Sequence, residues 1–410
     1  MASPEAGAHP RLRPLESFPV RFEGREYVCL RDPQNLGGPP VLLNQRQVFF
    51  VAHMDGSHTL RDIQVNFARA TGEIIPVSQL EEIVRQLDDC GFLDSEGFRA
   101  RVEMLKSQFL ALEARPALHA GGAYPADAGE LTRTIEGHFV HPDGHRPGKG
   151  AGRRSPRAIV APHIDFERGG SVYAHAYAAL RGCTATRFVV FGTAHQPMAR
   201  RFALTAKDYE TPLGNAVTDR KFVANLAARV GPGYFEDEFA HRGEHSIEFQ
   251  AVYLAFLFGQ SRPFTIVPIL VGSFHDLLVE ERSPGDDEEI ERFVSAVRAA
   301  SDELGGETCV IAGADLAHIG RRFGDPAGPT AARLRQVEFE DREFLTRVAA
   351  GDAEGMYRSI AGDGDRRRVC GYPPTYMALR CVDATGGKLL DYRQWSDAES
   401  AVTFAAVVIL

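Results

Sequence analysis

The sequence predicts an α/β fold, with a mostly parallel sheet flanked by helices and a small separate domain ahead of it. From Arg157 onward, short runs of buried-strand character alternate with amphipathic helical stretches, the pattern of a parallel sheet covered on both faces. Four of those runs lead directly into polar residues and a histidine. The 410 residues also exceed the roughly 250–300 at which one hydrophobic core stops growing, so a second domain is expected.

The small domain is read at residues 38–98, after an N-terminal extension at 1–37. Val41-Leu42-Leu43 and Val48-Phe49-Phe50-Val51 are short apolar runs. Thr59 is placed as the N-cap of a helix with Asp62 three residues on and Leu60, Ile63 and Phe67 on one face. A second helix is marked by a Ser78/Glu81 capping box, the stripe Leu80, Ile83, Val84 and Leu87, and Gly91 just past its end. Phe92-Leu93-Asp94 reads as a wing-like strand. A linker helix near Arg101 to Glu113 is expected within 99–118, and the larger domain occupies 119–410. There, His138 to Ser155 is rich in Gly, Pro, His and Arg and reads as a loop. Strands are expected at Ala158 to Ala161, Arg187 to Phe191, Phe264 to Val271 and Thr308 to Ala312. Helices are expected at Ser171 to Leu180, Asp219 to Arg229, Ser246 to Phe258, Asp287 to Leu304, Ala332 to Ala349 and Pro374 to Asp383. No internal repeat is visible.

Composition narrows the function. The 55 acidic residues outnumber the 46 basic ones, for a net charge of −9, the wrong sign for a nucleic-acid partner. The basic clusters Arg153-Arg154 and Arg366-Arg367-Arg368 read as solvated loop charge. Six cysteines, Cys29, Cys90, Cys183, Cys309, Cys370 and Cys381, form no C-x-x-C pair and suit a reducing compartment. Met1 to Arg21 offers no continuous apolar segment of signal-peptide type. The apolar runs Ala251 to Phe258 and Ala401 to Leu410 fall short of the ~20 residues that span a bilayer. A cytoplasmic protein with neither a membrane nor a nucleic-acid partner is the expectation.

The four strands run into Pro162-His163, Gly192-Thr193-Ala194-His195, Gly272-Ser273-Phe274-His275 and Gly313-Ala314-Asp315-Leu316-Ala317-His318. Ligands of open parallel sheets bind beyond the carboxyl ends of the strands, so histidines remote in sequence can converge there. Metal chemistry asks for neutral imidazoles plus an anionic ligand. Cys370, in the turn-rich Val369-Cys370-Gly371-Tyr372-Pro373-Pro374, is a candidate for that anion.

Ala161-Pro162-His163-Ile164-Asp165-Phe166, Gly192-Thr193-Ala194-His195, Glu244-His245-Ser246-Ile247-Glu248, Val267-Pro268-Ile269-Leu270-Val271-Gly272, Ala314-Asp315-Leu316-Ala317-His318 and Cys370-Gly371 resemble, in order and spacing, the motifs of the Memo family. Ala120-Gly121-Gly122-Ala123-Tyr124-Pro125-Ala126-Asp127 is similar to that family's opening motif, so the likeness runs from about His119 to Leu410. It implies a fold similar to LigB-type class III extradiol dioxygenases, close to the bacterial group called AmmeMemoRadiSam system protein B. By motif, His163, His195 and Cys370 match a metal-binding triad, Asp315 and His318 a second pocket motif, and Glu244 and His245 a third. A thiolate ligand favours copper or a softer redox role, with iron also open. The implied activity is that of a metal-dependent redox protein or oxidase. His318, oriented by Asp315, would move protons, and Glu244 and His245 would fix a bound group. The chain departs from the family's pattern at Ile164-Asp165-Phe166 and at Gln196. Asp165 either hydrogen-bonds a ligating imidazole or caps the following helix. The small domain resembles PqqD-like winged helices. Its second helix carries Glu81, Glu82, Asp88 and Asp89 against Arg85, which points to peptide or intramolecular docking over DNA.

Other readings stand beside this one. His241-Arg242-Gly243-Glu244-His245 matches the H-x-x-E-H pattern of inverzincin peptidases, although Gly243 disfavours the helix that pattern needs and a helix starting near Glu244 fits better. An extradiol-type non-haem iron dioxygenase and a non-catalytic peptide-binding module share the fold. A radical-SAM protein as partner is implied by the name of the bacterial group alone. Pro147-Gly148-Lys149-Gly150-Ala151-Gly152 lacks the Ser or Thr and the leading strand of a Walker A loop.

Overall fold

The computed structural model describes residues 9–140 and 155–410. The glycine-rich Pro147–Gly152 stretch and the Arg153-Arg154 pair lie outside these residues. The chain divides into two compact units, Met1–Ala111 and Leu112–Leu410. No helix among the described residues is long and apolar enough to cross a membrane.

In the first unit, β1 (Glu16–Phe22), β2 (Arg25–Arg31) and β3 (Val41–Leu43) form an antiparallel sheet. The helices α1 (Gln45–Ala52), α2 (Leu60–Thr71), α3 (Val77–Asp89) and α4 (Glu96–Leu110) follow. Residues 16–31 therefore share a sheet with β3. The run Val48 to Val51 lies in α1, where Phe50 and Val51 are buried. Thr59 and Asp62 form the capping box of α2. The Ser78/Glu81 box does not form, because α3 begins two residues earlier, with Pro76 at its N-cap position and no side-chain cap. Leu80, Val84 and Leu87 are the buried stripe of α3, and Gly91 follows its end with φ of 68°. Phe92-Leu93-Asp94 makes a single bridge, Leu12 to Leu93, in place of a strand. The linker helix expected from Arg101 starts earlier, because Ser95 caps α4.

The second unit runs β4 (Ala114–Arg115), α5 (Ala128–Val140), β5 (Ala158–Ala161), α6 (Phe166–Ala178), β6 (Arg187–Thr193), β7 (Phe202–Leu204), β8 (Asp208–Tyr209), β9 (Val217–Thr218) and α7 (Arg220–Val230). It continues through α8 (Glu248–Phe258), β10 (Thr265–Val271), α9 (His275–Val279), α10 (Glu288–Leu304), β11 (Thr308–Gly313), β12 (Asp315–Gly320), α11 (Ala331–Ala349), α12 (Ala353–Ala361), α13 (Tyr372–Arg380), β13 (Gly387–Ser396) and β14 (Ser400–Ile409). His138 to Val140 close α5, where a loop was expected. The apolar run 401–410 supplies β14.

The sheet order is β12-β14-β5-β11-β6-β10-β7, with β13 on β14 and β9 on β10. Its centre, β5-β11-β6-β10, is parallel, while β14 on one side and β7 on the other run antiparallel. Alternation along the central strands builds two cores. Ala158, Val160, Val189, Phe191, Val310 and Ala312 face α7, α10, α12 and α13. Ile159, Ala161, Phe188, Val190 and Ile311 face α5, α6 and α8. With both faces covered, central strands read as unbroken apolar runs. α8 is buried on nearly every side, as its all-round apolar composition requires.

Candidate metal centre

The register of the parallel strands sets the site. Gly313 at the end of β11 pairs with Ala161 of β5 on one side and Gly192 of β6 on the other. His163 and His195 therefore leave the same sheet edge, separated by one strand that carries only hydrogen at that level. The turn 244–247 closes over this edge. A Cβ at Gly313 would lie 2.4 Å from the Ser246 carbonyl oxygen, and one at Gly192 would lie 2.6 Å from Ser246 Oγ. Glycine in both strands gives this turn room to approach.

Three donor groups meet there. One ligand-type atom each from His163, His195 and Cys370 lies within 4.8 Å of the other two, and Cys370 Sγ is 3.3 Å from His163 Nε2. Each imidazole is held from behind. His163 Nδ1 is 2.9 Å from the Gly313 carbonyl, so Nδ1 carries the proton and Nε2 presents its lone pair. His195 Nδ1 is 3.0 Å from Glu244 Oε2, which turns its Nε2 to the front. Imidazoles that ligate metals are oriented by partners of this kind.

Glu244, almost fully buried, accepts the backbone N–H groups of His195, His245 and Ser246 at 3.0, 2.8 and 2.9 Å. Burial opposes its ionisation, but the charges of His195 and His245 and the bonds from His195 hold it well below the usual carboxylate range. His195, Glu244 and His245 form a second close trio. With its oxygens occupied by four N–H groups, Glu244 serves as an orienting group more readily than as a ligand. The His245 ring stacks on His195 at 4.8 Å between centroids and stands edge-on to His163 at 5.3 Å.

Burial pushes His163 down to about 3, helped by neighbouring His195, so His163 is neutral at pH 7 as a ligand must be. For His195, burial is outweighed by the charge and hydrogen bond of Glu244, and its pKa rises. Burial and the nearby Asp315 raise the Cys370 thiol well above its ordinary value. A coordinated cation reverses that balance by stabilising the thiolate. The donor set therefore fits a soft or borderline metal ion.

Asp315 accepts the His163 backbone N–H at 2.9 Å, and its other oxygen is 3.7 Å from His163 Nε2; burial raises it to about 6. His318 falls outside the close trio. Its Nδ1 is 3.0 Å from the Leu316 carbonyl, where orientation by the Asp315 carboxylate was expected. Burial lowers it to about 4. Its backbone ties down the cysteine loop, since His318 N–H donates to the Arg367 carbonyl and Arg368 donates to the His318 carbonyl. His275, the fourth histidine after a strand, is exposed at the start of α9 and does not join the group. Asp165 caps α6 through the Arg168 N–H. His241 is fully buried, with Tyr209 Oη on Nδ1 and the Ala203 carbonyl on Nε2. Neither nitrogen is left for a metal, and α8 begins only at Glu248, so the H-x-x-E-H reading does not form.

Sequence reasoning missed the support beneath this turn. Arg115, fully buried, donates to the carbonyls of His241 and Glu244 at 2.7 and 2.8 Å and pairs with buried Glu248. Glu248 also accepts from the His119 N–H and the Tyr124 hydroxyl. Tyr124 and Glu248 lie within the motifs described above; Arg115 lies just before the first of them.

A family model described as Memo-like protein matches residues 115–408. A MEMO1 family protein of Aquifex aeolicus is 26% identical over 95% of this chain and 98% of its own length. Another from Methanopyrus kandleri is 31% identical over 72% of this chain and 99% of its own. A third, from Thermus thermophilus, is 28% identical over 83% and 94%.

Proposed function

The chain belongs to the Memo family, and on that premise we propose that it is a metal-binding protein whose His163, His195 and Cys370 hold a copper or iron ion for redox chemistry. The observation that carries this is the meeting of two imidazole nitrogens and one sulfur within 4.8 Å, with the far nitrogen of each ring already engaged. When bound, such an ion supplies a one-electron couple and a Lewis-acidic position. The protein's own part is to keep His163 neutral, to hold His195 against Glu244, and to cover the two imidazoles with the His245 ring, itself backed by Phe249. Elemental analysis of protein purified without added metal, beside His163→Ala, His195→Ala and Cys370→Ser, tests the proposal. Near-stoichiometric metal that drops in each variant is expected; equal content in all four rejects it.

A second reading, extradiol cleavage by non-haem iron, has one observation in its favour: the Asp315 carboxylate 3.7 Å from His163 Nε2 offers the carboxylate of a two-His-one-carboxylate triad. Oxygen uptake with catechol and Fe(II) that survives Cys370→Ser but not Asp315→Asn would favour it. No uptake would reject it.

A further inference from the structure

We propose that the trough opening from Cys370 and His195 is a binding subsite for a ligand carrying a cationic amine, with Asp365 as the group that receives the ammonium. This rests on the metal-centre reading only in deciding which end of the ligand faces the chemistry.

Two adjoining cavities form the trough. An inner chamber of about 220 Å³ is lined by Cys370, His195, Thr193, Asp365 and Tyr372. An outer one of about 590 Å³ shares its Ala194, His195, Gly272 and Ser273 and extends past Arg200 and Arg201. A molecule lying along it reaches His195 and Cys370.

Charge along the trough points to a cation. Of the three arginines on its walls, Arg201 is already engaged by Asp276, Asp287 and Glu289. Arg368 is engaged by Asp325 and the His318 carbonyl. Arg200, which lines only the outer cavity, lies over the Tyr234 ring with no carboxylate partner among the described residues, so the preference for a cation belongs to the inner chamber, where Arg368 is matched and Asp365 is not. Asp365 is the unmatched one. Its Oδ1 accepts the Val369 N–H at 2.8 Å, and among the described residues no cation lies within ion-pair distance of it. The nearby Arg367 is spent on Asp341 at 2.5 Å. Burial raises its pKa, with Asp363 adding to it, and the Val369 N–H bond, Arg367 and His275 only partly offset the rise. A half-buried carboxylate without a counter-charge is stabilised by a bound ammonium. The Tyr372 ring in the same chamber supplies the aromatic surface that often accompanies one, and Val271, Val369 and Pro373 offer apolar contact for a short alkyl chain.

The loop holds Asp365 in place at a cost in backbone strain. Asp365 and Arg368 both have φ of 53°, a region that non-glycine residues seldom occupy and that clusters at functional sites. Between them the Arg367 side chain is anchored to Asp341. Asp365→Asn is therefore a clean variant, since asparagine keeps the acceptor for Val369 N–H and tolerates positive φ while losing the charge.

Ligand-observed NMR on the metal-free full-length chain at neutral pH would compare n-butylammonium, butanol and butyrate. Butylammonium is expected to bind best, and Asp365→Asn to weaken it at least tenfold while leaving butanol unchanged. Equal binding of butanol or butyrate to the unmodified chain overturns the proposal and needs no variant. Butylammonium affinity within twofold of the parent in a folded Asp365→Asn also overturns it. Metal content of protein purified without added metal, measured before the ion is stripped for NMR, separates the two ideas: amine selectivity with no co-purified metal leaves this subsite standing and the metal centre refuted, and co-purified metal without amine selectivity does the reverse.

Discussion

Glu244→Gln tests how the candidate centre is held. In the native protein the two carboxylate oxygens share four donors, three backbone N–H groups and His195 Nδ1. Glutamine keeps one oxygen and turns an amide NH₂ toward the remaining donors, so at least one buried N–H loses its acceptor. An unpaired buried donor costs about 1–3 kcal/mol. Losing the carboxylate behind a ligating imidazole weakens metal binding roughly 10- to 100-fold, or about 1.4–2.7 kcal/mol. Urea unfolding of metal-free protein reads the first quantity, and competition against a chromophoric chelator for Cu(I) or Fe(II) reads the second. Because Glu244 is what raises the His195 pKa, the His195 ring should also titrate at lower pH in the metal-free variant, visible by NMR. Affinity within twofold of the parent, together with an unchanged His195 titration, would refute the idea that this carboxylate positions the imidazole.

Arg115→Met should destabilise the protein by about 3–5 kcal/mol, because it strands buried Glu248 and leaves the His241 and Glu244 carbonyls without their donor; urea unfolding measures it, and adding Glu248→Gln should restore part of the loss. His241 supplies a pH prediction. Burial lowers it to about 3 in the folded state against about 6.5 unfolded, so the unfolded chain binds the extra proton and stability falls as pH drops below about 6.5. Between pH 7 and pH 5 this amounts to about 2 kcal/mol, a slope that His241→Gln should remove; parallel unfolding free energies for parent and variant across that range would contradict it. Metal content should be the same in His241→Gln as in the parent.

Residue pattern alone determined the layered α/β architecture. Strands buried on both faces must be apolar throughout, so β5, β6, β10 and β11 stand out in the sequence, and their following histidines mark one sheet edge. Motif order added His163, His195 and Cys370. Elements whose signal is weaker in one dimension stayed hidden: β14 reads simply as an apolar tail, and α3 starts right after Pro76, ahead of the Ser78/Glu81 box. Tertiary structure decided which polar groups meet. The sheet register sets Val271 level with Thr193, so His195 lies two residues beyond that level and converges with His163, whereas His275 lies four beyond it, exposed at the start of α9. Only the folded turn shows Glu244 saturated by four N–H donors, and only the buried end of β4 explains Arg115. The physical reason is common to all of these cases. Burial and periodicity are properties of a segment and are written along the chain. Hydrogen-bond partnership is a property of pairs, 133 residues apart for Arg115 and Glu248 and 152 for His163 and Asp315, and exists only once the sheet has brought the partners together.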